Sequence, residues 1–187
     1  MTVALQRKSN LELIAEAERL PESLTGEVID GELYVMGRPS GAHQCVEAEV
    51  ATDLRRGGGG GGWLILPEVE VRFPTDELIV PDLTGWRQER IAGFERQNPF
   101  TIRPDWVCEI LSDSTRIKDL GPKRSLYARH AVPHLWVIDP EAHILESFGL
   151  DGARWVLLGM WSEAEIALGV EPFPAARFEL GRWWLPR

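Results

Sequence analysis

The sequence has little cysteine and no long apolar run. Its two cysteines, Cys45 and Cys108, follow neither a CxxC nor a metal-ligand spacing, which excludes a disulfide-stapled miniprotein and predicts reduced core thiols. No apolar run approaches the roughly 18 residues that cross a bilayer, and residues 1–10 lack the apolar core of a signal peptide. We therefore expect a cytoplasmic protein with no membrane segment.

A surplus of positive charge is also missing. The chain has 20 basic and 29 acidic residues, a net charge of −9, whereas dedicated nucleic-acid binders usually carry the opposite balance. Any contact with nucleic acid must depend on local charge. Within residues 112–130, basic side chains outnumber acidic ones five to two, and we expect nucleic acid to meet this segment through Arg116, Lys118 and Arg124. The alternative is a solvated helix face.

Signatures of two enzyme classes are absent. Residues 37–41 do not match GxSxG, and neither cysteine has an obvious base nearby in the sequence, which disfavours nucleophilic hydrolases. His130 and His134 are the one histidine pair at helical spacing, and Pro133 breaks the helix that would align them for zinc. The glycine run 57–62 follows a predicted helix and precedes a strand, the reverse of a phosphate loop, so we interpret it as a flexible connector.

Hydrophobic patterning predicts one α/β domain over residues 1–187, long enough to bury about two thirds of its unfolded surface. A capping box at Ser9 and Glu12 begins a predicted helix over 11–20, and Asp30-Gly31 predicts a type I′ hairpin within 27–36. Further helices are expected at 42–56 and at 122–130, the latter with Pro122 as its first residue after a polar loop. Predicted strands are 63–66, 68–73, 78–80, 106–111, 135–138, 144–148 and 154–158, with one more in the tail.

Two carboxylates lie where apolar residues belong. Glu109 interrupts the apolar run 106–111, and a buried ionised carboxylate requires a cation or hydrogen-bond donors. Asp82 follows the strand 78–80, so neighbouring strands would bring the two together as hard oxygen ligands for Mg²⁺ or Mn²⁺. The alternative is that Glu109 pairs with a structural lysine or arginine and that Asp82 caps the turn after Pro81.

The order of these motifs resembles the Uma2 (DUF820) family of the PD-(D/E)XK nuclease superfamily, over about residues 11–158. The resemblance depends on Glu27-Val28-Ile29-Asp30-Gly31-Glu32-Leu33, His43-Gln44, Pro81-Asp82, Asp105 to Ser112 and Lys123…Tyr127…Leu135 to Asp139. It implies a restriction-endonuclease-like core, a mixed central β-sheet flanked by helices, preceded here by the N-terminal helix and β-hairpin.

The resemblance also implies site residues. Asp82 and Glu109 match the metal ligands, while the superfamily's lysine, two residues after the second acid, is replaced here by Leu111. Lys123 on the following helix matches the lysine of Uma2-like sequences and would act in its place. His43 and Glu47 are possible accessory residues, with Glu47 completing the metal shell, although both could merely flank a helix.

The implied function is a Mg²⁺-dependent (or Mn²⁺-dependent) endonuclease that hydrolyses DNA, with RNA as another possible substrate. The alternative is a catalytically silent module on the same fold that binds nucleic acid or protein. Eight tryptophans, the Trp183-Trp184 pair and the resemblance also predict a homodimer, since exposed aromatic patches mark interfaces. The alternative is that these rings fill the core.

Overall fold

The computed structural model describes residues 7–55, 61–94, 96–163 and 165–185. The helices are α1 (Asn10–Ala17), α2 (Gly41–Arg55), α3 (Gln88–Ile91), α4 (Arg116–Lys118) and α5 (Arg124–Arg129), with a π-helical turn (Asp119–Lys123) joining α4 to α5 and a 3₁₀ turn (Leu180–Arg182) near the end. The strands are β1 (Thr25–Ile29), β2 (Glu32–Met36), β3 (Trp63–Pro67), β4 (Val71–Arg72), β5 (Leu78–Ile79), β6 (Leu83–Arg87), β7 (Trp106–Ile110), β8 (His134–Asp139), β9 (Ile144–Asp151), β10 (Arg154–Ser162), β11 (Ile166–Val170) and β12 (Phe173–Glu179).

A six-stranded mixed sheet forms the centre of the fold, which confirms the predicted class. Its order is β10-β9-β8-β7-β6-β3, with β7 and β8 parallel and the other pairs antiparallel. Every residue of β7 is buried, as expected for a central strand. On one face, Val46 and Val50 of α2 pack with Cys108; on the other, Leu126 of α5 packs with Val107.

A second, antiparallel sheet of order β2-β1-β5-β4 carries the predicted hairpin. Asp30 and Gly31 have φ angles of 52° and 79°, the positive values that the tight turn requires. The predicted capping box is also present, since Ser9 and Glu12 hold the start of α1. These signals are local in sequence, and each led to the correct element.

Several elements differ from the sequence predictions. Strand β6 and helix α3 were not predicted, and the predicted strand 68–73 is reduced to β4, Val71–Arg72, with Glu68 at φ 45° before it. The expected loop 112–121 contains α4, and Pro122 lies inside the π-helical turn and does not begin a helix. The wider π turn accommodates a residue that has no amide hydrogen to donate.

The tail contains two strands, β11 and β12, where one was expected. Trp183 is fully buried, and its indole donates a hydrogen bond to Asp53 at 2.9 Å. Trp184 is half-buried and packs against the same core, so the aromatic pair does not form an exposed patch. Residues 57–60 of the predicted connector lie outside the described residues. In the described part of the chain, no helix has the length and apolarity to cross a bilayer.

Candidate active site

A cavity of about 740 Å³ opens where β2, the start of α2, the end of β7 and the π-helical turn meet. Three of the predicted site residues, Asp82, Glu109 and Lys123, line it together, although they are distant in sequence. His43 also lines the cavity, whereas Glu47 lies on the next turn of α2. The fold thus brings the predicted catalytic set to one place.

Asp82 is held between β5 and β6 by its surroundings. One carboxylate oxygen accepts a hydrogen bond from the Ile110 amide at 2.6 Å, and the other lies 3.1 Å from Nε2 of buried His43. Burial lowers the pKa of His43, but the close contact with Asp82 and its negative charge outweigh burial and raise that pKa above its ordinary value. Asp82 is therefore fixed from two sides, against the strand that carries Glu109.

Glu109 has two side-chain partners on the helical segment that follows β7. Lys123 Nζ lies 2.7 Å from Glu109 Oε2, and the Tyr127 hydroxyl donates to Oε1. All three side chains are buried. Burial would lower the pKa of Lys123, but the charges of Glu109 and Glu27 outweigh it and hold this pKa well above its usual value. Lys123 is therefore a fixed cation beside Glu109.

Sequence reasoning missed the contribution of Glu27 to this site. Glu27, fully buried on β1, places Oε1 3.0 Å from Lys123 Nζ and accepts the Val80 amide at 2.8 Å. Its Oε2 contacts Lys118. A carboxylate directly before the apolar pair Val28 and Ile29 is the same signal that identified Glu109, and it could have found this residue.

Glu47 is a half-buried carboxylate among other acids. Burial, together with the negative charges of Glu68 and Asp82, raises the pKa of Glu47 to about 7. Burial is the larger cause, and the two neighbouring carboxylates add to it. A divalent cation bound nearby would offset the charges of Glu68 and Asp82.

The donor chemistry fits the divalent metal that the resemblance implies. Asp82 and Glu109 both present carboxylates to the cavity, and such hard oxygens suit Mg²⁺ or Mn²⁺. Among the described residues, however, no three histidine, cysteine or acidic side chains converge closely enough to hold an ion. The expectation that Asp82 and Glu109 share one ion stays a prediction.

The basic segment 112–130 is arranged differently from the predicted nucleic-acid surface. Arg116 pairs with Asp139 at 2.7 Å, and Lys118 is buried against Glu27, so the expectation that nucleic acid meets Arg116, Lys118 and Arg124 stays a prediction. Arg124 lies over the Phe148 ring at 4.2 Å. Carboxylates from β1 and β8 neutralise charges that the sequence alone left unpaired.

The model of one protein family, described as Uma2, putative restriction endonuclease, matches residues 14–181. The chain belongs to the Uma2 family. A crystal structure of a putative nuclease belonging to DUF820 from Anabaena variabilis is 22% identical in sequence, with a TM-score of 0.74. The match covers 95% of this chain and 99% of that one, and at this identity it shows a shared fold. None of the curated proteins that were compared matches the chain.

Proposed function

We propose that this Uma2 chain is a metal-dependent endonuclease that hydrolyses phosphodiester bonds of DNA. The observation that supports it is the contact of Lys123 Nζ with Glu109 at 2.7 Å, in a cavity that Asp82 also lines. Leu111, at the position of the superfamily's lysine, lines the same cavity without a charge. Lys123 thus supplies from a different element the cation that Leu111 cannot.

Each side chain has a distinct part in this mechanism. Asp82 and Glu109 would hold Mg²⁺ or Mn²⁺, and the ion would polarise a phosphodiester oxygen and lower the pKa of a water ligand. Tyr127 and Lys123 fix the two oxygens of Glu109, as His43 and the Ile110 amide fix those of Asp82. Lys123, held protonated, stabilises negative charge that develops on the phosphate.

A silent binding module is the second candidate. The observation that favours it is that Lys123 already has carboxylate partners in Glu109 and Glu27, so the cluster is satisfied without a ligand. Buried ionic clusters of this kind can be purely structural. In that case no metal bound at Asp82 would take part in catalysis, and neither DNA nor RNA would be cut.

The two candidates are separated by measuring metal binding and cleavage together. We expect isothermal calorimetry to show Mn²⁺ and Mg²⁺ binding to the wild type, and a loss of that binding in Asp82→Ala. Cleavage of plasmid and single-stranded DNA should be abolished by the same change. The control is Glu141→Ala, which removes an exposed carboxylate at the cavity and should leave both signals unchanged. Metal binding without cleavage would favour the binding module, and no binding would contradict the nuclease.

Lys123→Met tests the role of the lysine, because it keeps the apolar stem and removes the charge. We expect cleavage to fall at least about 100-fold while metal binding persists, the size typical of a lost electrostatic group. Removing one partner of a buried pair also costs about 3–5 kcal/mol, so activity must be compared where circular dichroism shows folded protein. If this variant cleaves DNA at the wild-type rate, Lys123 is not the catalytic lysine, and Lys118 becomes the next candidate.

A further inference from the structure

The cavity carries more negative than positive charge. Six carboxylates line it, and four cations do, namely Arg38, Arg116, Lys118 and Lys123. Three of these cations already have carboxylate partners: Arg116 pairs with Asp139, Lys118 with Glu27, and Lys123 with Glu109. A polyanion that enters the cavity needs a cation whose charge is not already neutralised.

Arg38 meets this requirement. It is exposed, lines the cavity, and has no hydrogen bond or ion pair with any of the residues that the structure describes. It precedes Pro39 in the connection between β2 and α2, and a following proline restricts the backbone to extended conformations. The restriction lowers the backbone entropy that Arg38 must lose when it binds a ligand.

The charge beside Arg38 also suits an anion. Helix α2 begins at Gly41, and residues of its first turn line the same cavity. The amino end of a 15-residue helix carries partial positive charge, which adds to that of the guanidinium. Arginine matches the geometry of a phosphate by donating two parallel hydrogen bonds.

We propose that Arg38 binds a backbone phosphate of the nucleic acid at the mouth of this cavity. The contact rests on the proposed nuclease function and extends it, since it names a residue that binds the substrate at a phosphate other than the one that is hydrolysed. A phosphate contact carries no base information. Arg38 should therefore strengthen binding to every sequence alike.

The test measures DNA affinity against salt in an Asp82→Ala background, where cleavage is blocked. A fluorescent 20-base-pair duplex is titrated by anisotropy at several salt concentrations between about 50 and 200 mM, the range over which phosphate contacts change affinity most visibly. Arg38→Ala should raise Kd several-fold and reduce the slope of log K against log salt by about 0.9, the value for one lost phosphate contact. Arg154→Ala, which removes an exposed arginine outside the cavity, should change neither.

A second measurement separates binding from folding and chemistry. In protein that keeps Asp82 and cleaves DNA, Arg38→Ala should raise KM and leave kcat near the wild-type value. The reason is that Arg38 does not contact the phosphate that is hydrolysed. Thermal melting should be unchanged, since the side chain is exposed and makes no contact that the fold requires.

The outcomes distinguish this contact from the function on which it rests. A wild-type salt slope in Arg38→Ala, in a protein that binds and cuts DNA, overturns the Arg38 contact alone. A loss confined to one of two unrelated duplex sequences overturns it as well, because it indicates base readout. Absence of both DNA binding and wild-type cleavage overturns the nuclease and the contact together.

Discussion

The pKa of single side chains near the candidate site depends on burial and on the crowding of carboxylates. Glu47 shows this most directly, because burial and the charges of Glu68 and Asp82 raise its pKa to about 7 from an ordinary 4.5. A carboxyl group whose pKa is raised by folding stabilises the native state below the unfolded pKa. That contribution is lost as pH rises through the folded pKa.

Replacing Glu47 by Gln should therefore make the protein more stable at pH 8 in metal-free buffer. The wild type loses stability between about pH 4.5 and 7, and the variant does not. We expect a gain of about 1 kcal/mol at pH 8 and none at pH 4, a figure reduced for solvent screening of a half-buried group. Urea unfolding at both pH values measures it.

The control for this prediction is Glu49→Gln on the same helix. Glu49 contacts Arg182 at 3.2 Å, away from the cavity. If Glu49→Gln and Glu47→Gln change stability with the same pH dependence, crowding around Asp82 is not the cause.

How much of the site can be predicted from the sequence depends on whether the interaction partners of each side chain lie nearby along the chain. Glu109 and Asp82 were identified because a carboxylate next to buried apolar residues demands compensation, which is visible in sequence. The identity of that compensation is not visible. Lys123 and Tyr127 meet Glu109 across 14 and 18 residues, and Glu27 reaches Lys123 from a different sheet, so these contacts are products of the tertiary fold.

Among the secondary-structure elements, helix α1 and strand β1 share a contact that has no room for a side chain. A Cβ placed on Gly26 would lie 2.7 Å from Ala17 Cβ and 2.9 Å from Leu20 Cδ1. The next residue is Glu27, which holds Lys123. The packing of α1 against β1 therefore affects the position of Glu27 in the site.

Gly26→Ala should push α1 away from β1 and destabilise the protein by about 1–3 kcal/mol, the usual cost of overpacking. Because Glu27 is adjacent, we also expect DNA cleavage to fall under conditions where the variant remains folded. Urea unfolding and a cleavage assay measure the two effects. Gly41→Ala is the control, since no atom lies within 4 Å of the added Cβ, and it should leave stability unchanged or slightly raised. Equal stability of the two variants would show that α1 adapts freely.

Elements defined by local signals were predicted, and elements defined by neighbours were not. The hairpin turn and the cap of α1 depend on residues within a few positions of each other. Strand β6 has no alternating pattern, and its Gly85 is explained by two tryptophan rings, since an added Cβ would lie 3.0 Å from Trp106 and 3.3 Å from Trp63. Likewise Pro122 suggests a helix start, but the contacts of Lys118 and Lys123 with Glu27 hold the segment helical across it.

On the scale of the whole molecule, the net charge of −9 opposes binding of a polyanion. Two features of one cavity counter it in the proposed function: a divalent cation at Asp82 and Glu109, and the guanidinium of Arg38. Both act over a short range, because salt at physiological strength screens exposed charges beyond about 8 Å. DNA affinity should therefore depend on this cavity and not on a broad basic surface.

The homodimer stays a prediction, and its basis shifts from the tryptophans to an edge strand. Strand β10 ends the central sheet and exposes apolar side chains, Val156, Leu157, Leu158 and Met160, each 45–57% accessible. Between residues 155 and 162 it has neither the charge nor the proline that protects edge strands from pairing. An antiparallel edge can pair with its own copy about a two-fold axis, which is the commonest oligomer symmetry.

Light scattering at micromolar concentration should thus give twice the chain mass of 21.0 kDa. Leu157→Lys should shift it to the monomer, whereas Ile117→Lys, at an 87% exposed position on α4, should not. A monomeric wild type would exclude the dimer, and a dimeric Leu157→Lys would place the interface away from β10.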